Sequence, residues 1–323
     1  MKIALVTPAG PGMRNGNRHT ALRWAAFLQA AGHQVTVEVE WDKEPADLML
    51  ALHARRSHRS IMGFPKNKPL VLALTGTDVY RDIHQSAEAR ESLQRADRLI
   101  VLQPEAAREL APRARKKAKV VVQSSDTGLR HNPEPGRFRF CVIGHLRDEK
   151  DPLRAALALR LLQRKDVEVI HLGKALDLGL GKQARRLMRG DKRYRWLGEV
   201  AHERTLRWLA SSHALIISSR MEGGANVVCE ALRIGVPVLA SRISGNVGLL
   251  GRDYAGYFPV EDESALAGLM ARAASDRRFY ENLKTRVKPL RAKVAPQAEA
   301  KALLAAISGL RSAAPAAATR KAR

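Results

Sequence analysis

Twelve short apolar runs, parted by helix-sized stretches, constrain this chain more than any other feature of its sequence. Six lie in the first half, at Lys2–Thr7, Val35–Val39, Leu48–Leu52, Leu70–Thr75, Leu99–Leu102 and Val120–Gln123. Six more follow at Phe140–Ile143, Val167–Leu172, Tyr194–Leu197, Leu215–Ser218, Val236–Ala240 and Tyr257–Val260. Unbroken apolar runs suit strands buried on both faces, and helices between them supply the cover, so the pattern predicts parallel sheets in an α/β architecture. Between the first two runs, NRHTALRWAAFLQAAG predicts a helix. Its apolar face is read as Leu22, Ala25, Ala26 and Leu28, with Asn17 capping the start and Gly32 the end. Further helices are predicted near Pro152–Gln163, Glu203–Ala210, Asn226–Ile234, Ser264–Ala273, Arg277–Val287 and Gln297–Leu310.

The alternation pauses once, in the polar, proline-bearing stretch Arg130 to Gly136, which reads as a linker. Two consecutive Rossmann-like domains are therefore expected, over 1–132 and 133–295. A helix at 296–311 can reach back to the first, and a basic tail at 312–323 lacks core residues and is expected to be disordered. A chain of 323 residues, 45% of them apolar, can bury two such cores. Parallel sheets of this kind hold ligands at the carboxyl ends of their strands, so two facing sheets predict a binding cleft.

The formal charge of +24 points to anionic ligands or surfaces. A nucleic-acid binder concentrates its cations and adds stacking aromatics or a recognisable module. Here aromatics are 5% and the basic residues are spread out, with knots at Arg113 to Lys119 and Lys182 to Arg195. Nucleic acid is the minor alternative, on a degenerate enzyme scaffold. Cys141 and Cys229 lie far apart in apolar segments without metal-ligand partners, which argues against a disulfide or zinc framework. The first residues, MKIALVT, are too short for a secretory or membrane-spanning segment, and a cytoplasmic location is expected. The sequence leaves the oligomeric state open.

The richest chemistry lies in SSRMEGGANVVCEALRIGVPVLAS, from Ser218 to Ser241. A strand runs into a loop carrying Glu222, Gly223 and Gly224, and a helix starts near Asn226. Glu222 in the loop and Glu230 in the helix stand on the order of 10 Å apart, a span that a nucleoside-diphosphate sugar matches. Glu230 would accept from ribose hydroxyls while Glu222 faces the sugar. The N–H groups of Gly223, Gly224, Asn226 and Val227 would meet the diphosphate at the positive helix end. The alternative is a loop carboxylate and a solvated helix residue.

In the first half, Gly10, Gly12 and Gly16 lead from a strand into a helix, with Arg14 and Arg18 flanking its start and Asn15 and Asn17 beside them. Loop N–H groups and two guanidiniums form a candidate anion site. It suits either a small anionic acceptor or the donor diphosphate; the alternative is a tight turn with solvated arginines. His53 ends the run DLMLALH, ahead of Arg55, Arg56 and Arg59. Its roles are anion positioning or proton transfer, against a strand-end His bonded to a loop. Thr77 and Asp78, in TGTD, either touch the sugar or cap the next helix.

The E-x7-E element, the GVPVLAS strand and the upstream VIGHLRDEK resemble the retaining glycosyltransferases of the family 4 type, whose fold is GT-B. The resemblance implies an Arg and a Lys gripping the donor diphosphate after a Gly. Here Gly144 and Lys150 match that pattern, His145 stands at the Arg position, and Arg147 is the substitute. TPAGPGMRNGNRHTALRW, LHARRS and LTGTDVYRDI further resemble the selenosugar synthases of selenoneine biosynthesis. That likeness implies transfer of N-acetylglucosamine from a UDP-sugar to selenophosphate, forming a carbon–selenium bond. A hydroxyl acceptor is the alternative. Neither a metal nor another cofactor is expected, since no Asp-x-Asp motif is prominent. The family position that usually carries a His is Thr75 in this chain.

Overall fold

The computed structural model describes residues 1–13 and 16–310. The described residues form two compact units, one of 1–13, 16–102, 106–121 and 300–310, the other of 103–105 and 122–299. Each contains one six-stranded sheet.

In the first unit the strands are β1 (Lys2–Val6), β2 (Gln34–Glu38), β3 (Leu48–Leu52), β4 (Leu70–Leu74), β5 (Arg98–Val101) and β6 (Ala118–Val120). Their order is β2-β1-β3-β4-β5-β6, and every neighbouring pair is parallel. All five residues of β3 and of β4 are buried, whereas the edge strands β2 and β6 are partly exposed. Strand order reverses at β1, so the β1 and β3 carboxyl ends mark the crevice of this sheet.

The first helix spans Gly16–Ala30. Its buried side is Ala21, Trp24, Ala25 and Leu28, with Thr20, while Leu22 is 48% exposed. The expected face of Leu22 and Ala26 is thus corrected: the i, i+3, i+4, i+7 spacing is satisfied by Ala21 and Trp24, and Ala26 is exposed. Asn17 lies inside the helix rather than at its cap. Gly32 closes the helix at φ +83°, its N–H donating to Gln29. From the other end of the chain, the helix Pro296–Ile307 places Leu303, Ala306 and Ile307 in the same core cluster as Trp24 and Leu28. The Arg98 guanidinium donates to the carbonyls of Ala306 and Ser308 at 2.9 Å each, satisfying that helix's last acceptors.

In the second unit the strands are β7 (Phe138–Ile143), β8 (Val167–Leu172), β9 (Tyr194–Trp196), β10 (Ala214–Ile217), β11 (Val238–Ser241) and β12 (Tyr257–Phe258). They run β12-β11-β10-β7-β8-β9, all parallel, a doubly wound order that reverses between β7 and β10. The stretch 130–136, read from sequence as a linker, lies inside this unit. The N–H groups of His131, Asn132 and Glu134 donate to Ile234, Ala210 and Ser211, because a packed segment must satisfy its backbone. A helix over Leu178–Gly190, capped by Asp177, fills a region read from sequence only as a basic knot.

Candidate functional site

In the second unit the residues expected to hold a donor come from the loops that follow β7 and β10, on either side of the strand-order reversal. The β7 loop begins at Gly144. Gly173 packs so closely that a Cβ there would lie 1.9 Å from the Gly144 carbonyl oxygen. His171, fully buried in β8, bonds the same carbonyl through Nε2 at 3.2 Å and the Tyr194 hydroxyl through Nδ1 at 2.9 Å. Burial pushes its pKa down to about 4, so Nε2 donates from a neutral ring and Nδ1 accepts from Tyr194. These groups hold the turn.

Beyond it, Leu146 is buried between His145 and Arg147, which the alternation of an extended segment puts on one side. His145 Nδ1 accepts from the Lys174 N–H at 3.1 Å, which fixes the ring. Arg147 is exposed and forms no salt bridge among the described residues. A single 3-10 turn, Asp148–Lys150, then delivers Lys150. Its ammonium bonds Glu222, whose Oε1 also accepts from Ser219 Oγ at 2.6 Å. Glu222 is 9% exposed. Ser218 Oγ donates to the Asp151 carbonyl at 2.7 Å, tying the β10 loop to the β7 loop. Arg220 adds a second tie, pairing with both Asp148 and Glu261.

Gly223 and Gly224 lead to the helix Asn226–Ile234. Its N-cap is Ala225, whose carbonyl accepts from Val228 and Cys229 but whose side chain caps nothing. The first-turn N–H groups, those of Asn226 and Val227 among them, precede the first acceptor in the helix and face outward. Asn226 Oδ1 is buried there without a partner among the described residues. Glu230 follows one turn later, its side chain 14% exposed and 3.8 Å from His202 Nε2. A glycine not read from the sequence packs against the same loop: a Cβ on Gly245 would lie 2.1 Å from the Glu222 carbonyl oxygen. Behind it, buried Asn246 donates to the Ser241 carbonyl at 2.9 Å, and Ser241 Oγ to the Ser219 carbonyl at 2.6 Å.

The first unit presents a separate cluster at the carboxyl ends of β3 and β4. His53 is 2% exposed and has a left-handed backbone, φ +76°, unusual for a residue with a Cβ. Its Nδ1 accepts from the Arg56 N–H at 3.3 Å. Nε2 therefore carries the ring proton of the neutral form and donates to Thr77 Oγ1 at 3.2 Å. Burial is the main reason that its pKa falls below the ordinary imidazole value. Asp82, absent from the sequence reading, sits 3.8 Å from His53 Nε2 and accepts from Arg55 Nε at 3.0 Å and Arg81 Nε at 3.3 Å. Burial opposes its ionisation, but the two guanidiniums outweigh that and hold its carboxyl below the usual range.

Asp78 is the inward partner. It is fully buried, and its oxygens accept from the N–H groups of Thr75, Gly76 and Ala54 at 2.9, 2.8 and 3.1 Å. Those bonds make it the clamp between the two loops. Arg59 pairs with Glu40 on the surface. After β1, the Met13 N–H closes a turn on Gly10 with Gly12 at φ +83°, and Gly16, Asn17 and Arg18 form the first helical turn. Arg14 and Asn15 lie outside the described residues.

Among the described residues, no group of three or more His, Cys, Asp or Glu could hold a metal, and no helix is long and apolar enough to cross a membrane.

Two parallel sheets, one with its polar constellation at the strand-order reversal, define the GT-B class of nucleotide-sugar transferases. Residues 129–289 match the family model for glycosyl transferases group 1. It is 25% identical, over 83% of its length and 88% of the relative's, to glycosyltransferase 1 domain-containing protein 1 of Xenopus tropicalis. In fold it is similar to Anabaena HepE, crystallised with UDP, at a TM-score of 0.78, 17% identity, and coverage of 96% of this chain and 100% of that one. Sucrose-phosphate synthase of Thermosynechococcus elongatus gives 0.75 at 15% identity, over 93% of this chain and 96% of that one.

Proposed function

We propose that this glycosyltransferase takes a UDP-sugar, N-acetylglucosamine by the sequence resemblance, and transfers the sugar to selenophosphate. The observation that carries the donor half is the Lys150–Glu222 pair beside the open start of the helix Asn226–Ile234. A diphosphate leaving group needs a cation and N–H donors there, and the site supplies both. Glu230, one turn on, accepts from the ribose hydroxyls. Arg147, exposed on the side of His145, is the second cation for the diphosphate. Anabaena HepE, of similar fold, has been crystallised with UDP-glucose, which supports a donor of this class.

The acceptor half rests on the first unit. With His53 Nε2–H donating to Thr77, the threonine O–H is left to donate outward, beside the half-exposed Arg55. A hydroxyl donor and a guanidinium suit a small anion that arrives already ionised. In the reaction, a selenium lone pair forms the C–Se bond as the anomeric C–O bond breaks. UDP leaves with that bonding pair, and the phosphoryl group on selenium is then lost to water as phosphate. The second reading, a hydroxyl acceptor, draws on the His53–Asp82 approach: a hydroxyl proton taken at Nδ1, in place of the Arg56 N–H, leaves an imidazolium whose Nε2 side faces the Asp82 carboxylate.

The test is an incubation with UDP-N-acetylglucosamine, with and without enzymatically generated selenophosphate, followed by mass spectrometry. Selenophosphate-dependent release of UDP together with a selenosugar supports the proposal. UDP binding without selenium incorporation moves the assignment to a hydroxyl acceptor. Unchanged UDP-sugar affinity in Glu230→Ala removes the ribose role; the expected loss is about ten- to hundredfold, as for a charged hydrogen bond of roughly 1.5–3 kcal/mol.

A further inference from the structure

A groove of about 530 Å³ lies on the second unit between the helices Arg154–Arg160 and Leu178–Gly190. None of Lys150, Glu222 and Glu230 lines it. Leu153 and Leu157, four residues apart, line one wall, and Leu180 and Leu187, seven apart, line the other. Both spacings keep side chains on one helix face, so two apolar stripes meet across the groove. The second helix approaches its own unit through small residues, Gly181 and Ala184, which are buried. Its leucines are consequently left only half-covered. Leu161 and Leu178, at the ends of these helices, are 52% and 79% exposed.

The rim is cationic and unequal. Arg154 is neutralised by Asp151 and Glu263, and Arg220 by Asp148 and Glu261. Arg160 and Arg186 also line the groove, are exposed, and form no salt bridge among the described residues. Asp191, a carboxylate that the Arg160 charge reaches, is already bonded to Arg193. An apolar floor with two guanidiniums at its edge matches a ligand with an aliphatic body and an anionic head, since guanidiniums hold phosphates and carboxylates by paired N–H donors.

We propose that this groove binds such an anionic amphiphile, its chain on the four leucines and its head on Arg160 and Arg186, as a site separate from the donor pocket. The probes are dodecyl phosphate, dodecanoate and dodecyl maltoside, each titrated into the full chain by calorimetry below its micelle concentration. At least one anionic probe is expected to bind saturably, one per chain, and the tighter of the two identifies the head group. The double variant Arg160→Glu/Arg186→Glu should weaken that binding at least about tenfold, in the range of charge-assisted hydrogen bonds, with its melting temperature unchanged. Leu180→Gln should weaken it severalfold by interrupting the floor. Absence of saturable binding overturns the proposal. So does equal affinity for the maltoside, or an Arg160→Glu/Arg186→Glu variant that binds the anions as the parent does.

Discussion

The Lys150 ammonium and the Glu222 carboxylate are bonded to each other across two loops that leave adjacent strands, β7 and β10. With 20% and 9% of their side chains exposed, both have lost most of their water, so neither is tolerated well alone. Lys150→Ala should therefore weaken UDP binding about ten- to hundredfold and also lower stability, by leaving Glu222 buried without its cation. The double variant Lys150→Ala/Glu222→Ala should cost less stability than the sum of the single variants. Urea unfolding of the four proteins measures this coupling, and strict additivity would refute it.

Two glycines should respond in opposite directions. Gly245→Ala drives a methyl to 2.1 Å from the Glu222 carbonyl oxygen, so the loop must move. A loss of roughly 1–3 kcal/mol and a drop in transferase turnover are expected, as for overpacking. Gly268, inside the helix Glu263–Ser275, has nothing within 4 Å of its Cβ position. There Ala should stabilise by about 0.4–1 kcal/mol through the unfolded chain. Thermal denaturation of both variants checks the pair of signs.

His53 combines strain with a polar role. At φ +76°, Gly should be tolerated better than Ala by about 1–2 kcal/mol, because only the Cβ is disfavoured in the left-handed region. Both variants lose the Nε2 donor to Thr77, so the acceptor KM should rise while UDP affinity stays the same. The pH profile separates the two acceptor readings. With an anion acceptor, kcat/KM is flat through the His53 titration apart from the acceptor's own ionisation. With a hydroxyl acceptor, it falls as pH drops through the lowered His53 pKa.

His171 should make the second unit acid-sensitive. Its folded pKa, about 4, is below the unfolded value of about 6.5, so the unfolded state binds more protons between these limits. Its contribution is fully present above about pH 6.5 and is lost as pH falls toward 4, by about 3 kcal/mol in all. Unfolding free energies at pH 7 and pH 5 should differ in that direction. His171→Gln, which can still donate to the Gly144 carbonyl, should flatten the dependence; an unaltered slope would remove His171 as its source.

Much of this protein was legible before any coordinates. All twelve strands fall where apolar runs predicted them, within about three residues at their ends, because a run buried on both faces has no polar position to hide. The helix Asn226–Ile234 and its preceding glycines were equally visible, since Gly-Gly ahead of an amphipathic stretch is a local signal. The helix Leu178–Gly190 was not, because its arginines and small residues give little apolar face to count.

What the sequence determined by itself, then, is local: strand and helix periodicity, the E-x7-E spacing, and the glycine-rich turns that bring backbone N–H groups to helix starts. Tertiary structure alone decided the partners. Glu222 meets Lys150, 72 residues away, and His53 meets Asp82, while Asp78 turns inward to three N–H groups. Gly173 and Gly245 are required only because another segment's carbonyl lies where their Cβ would be. The parallel order of the strands sets those approaches. It brings together loops distant in the chain, and no spacing read along a single segment encodes which backbone comes to lie against which.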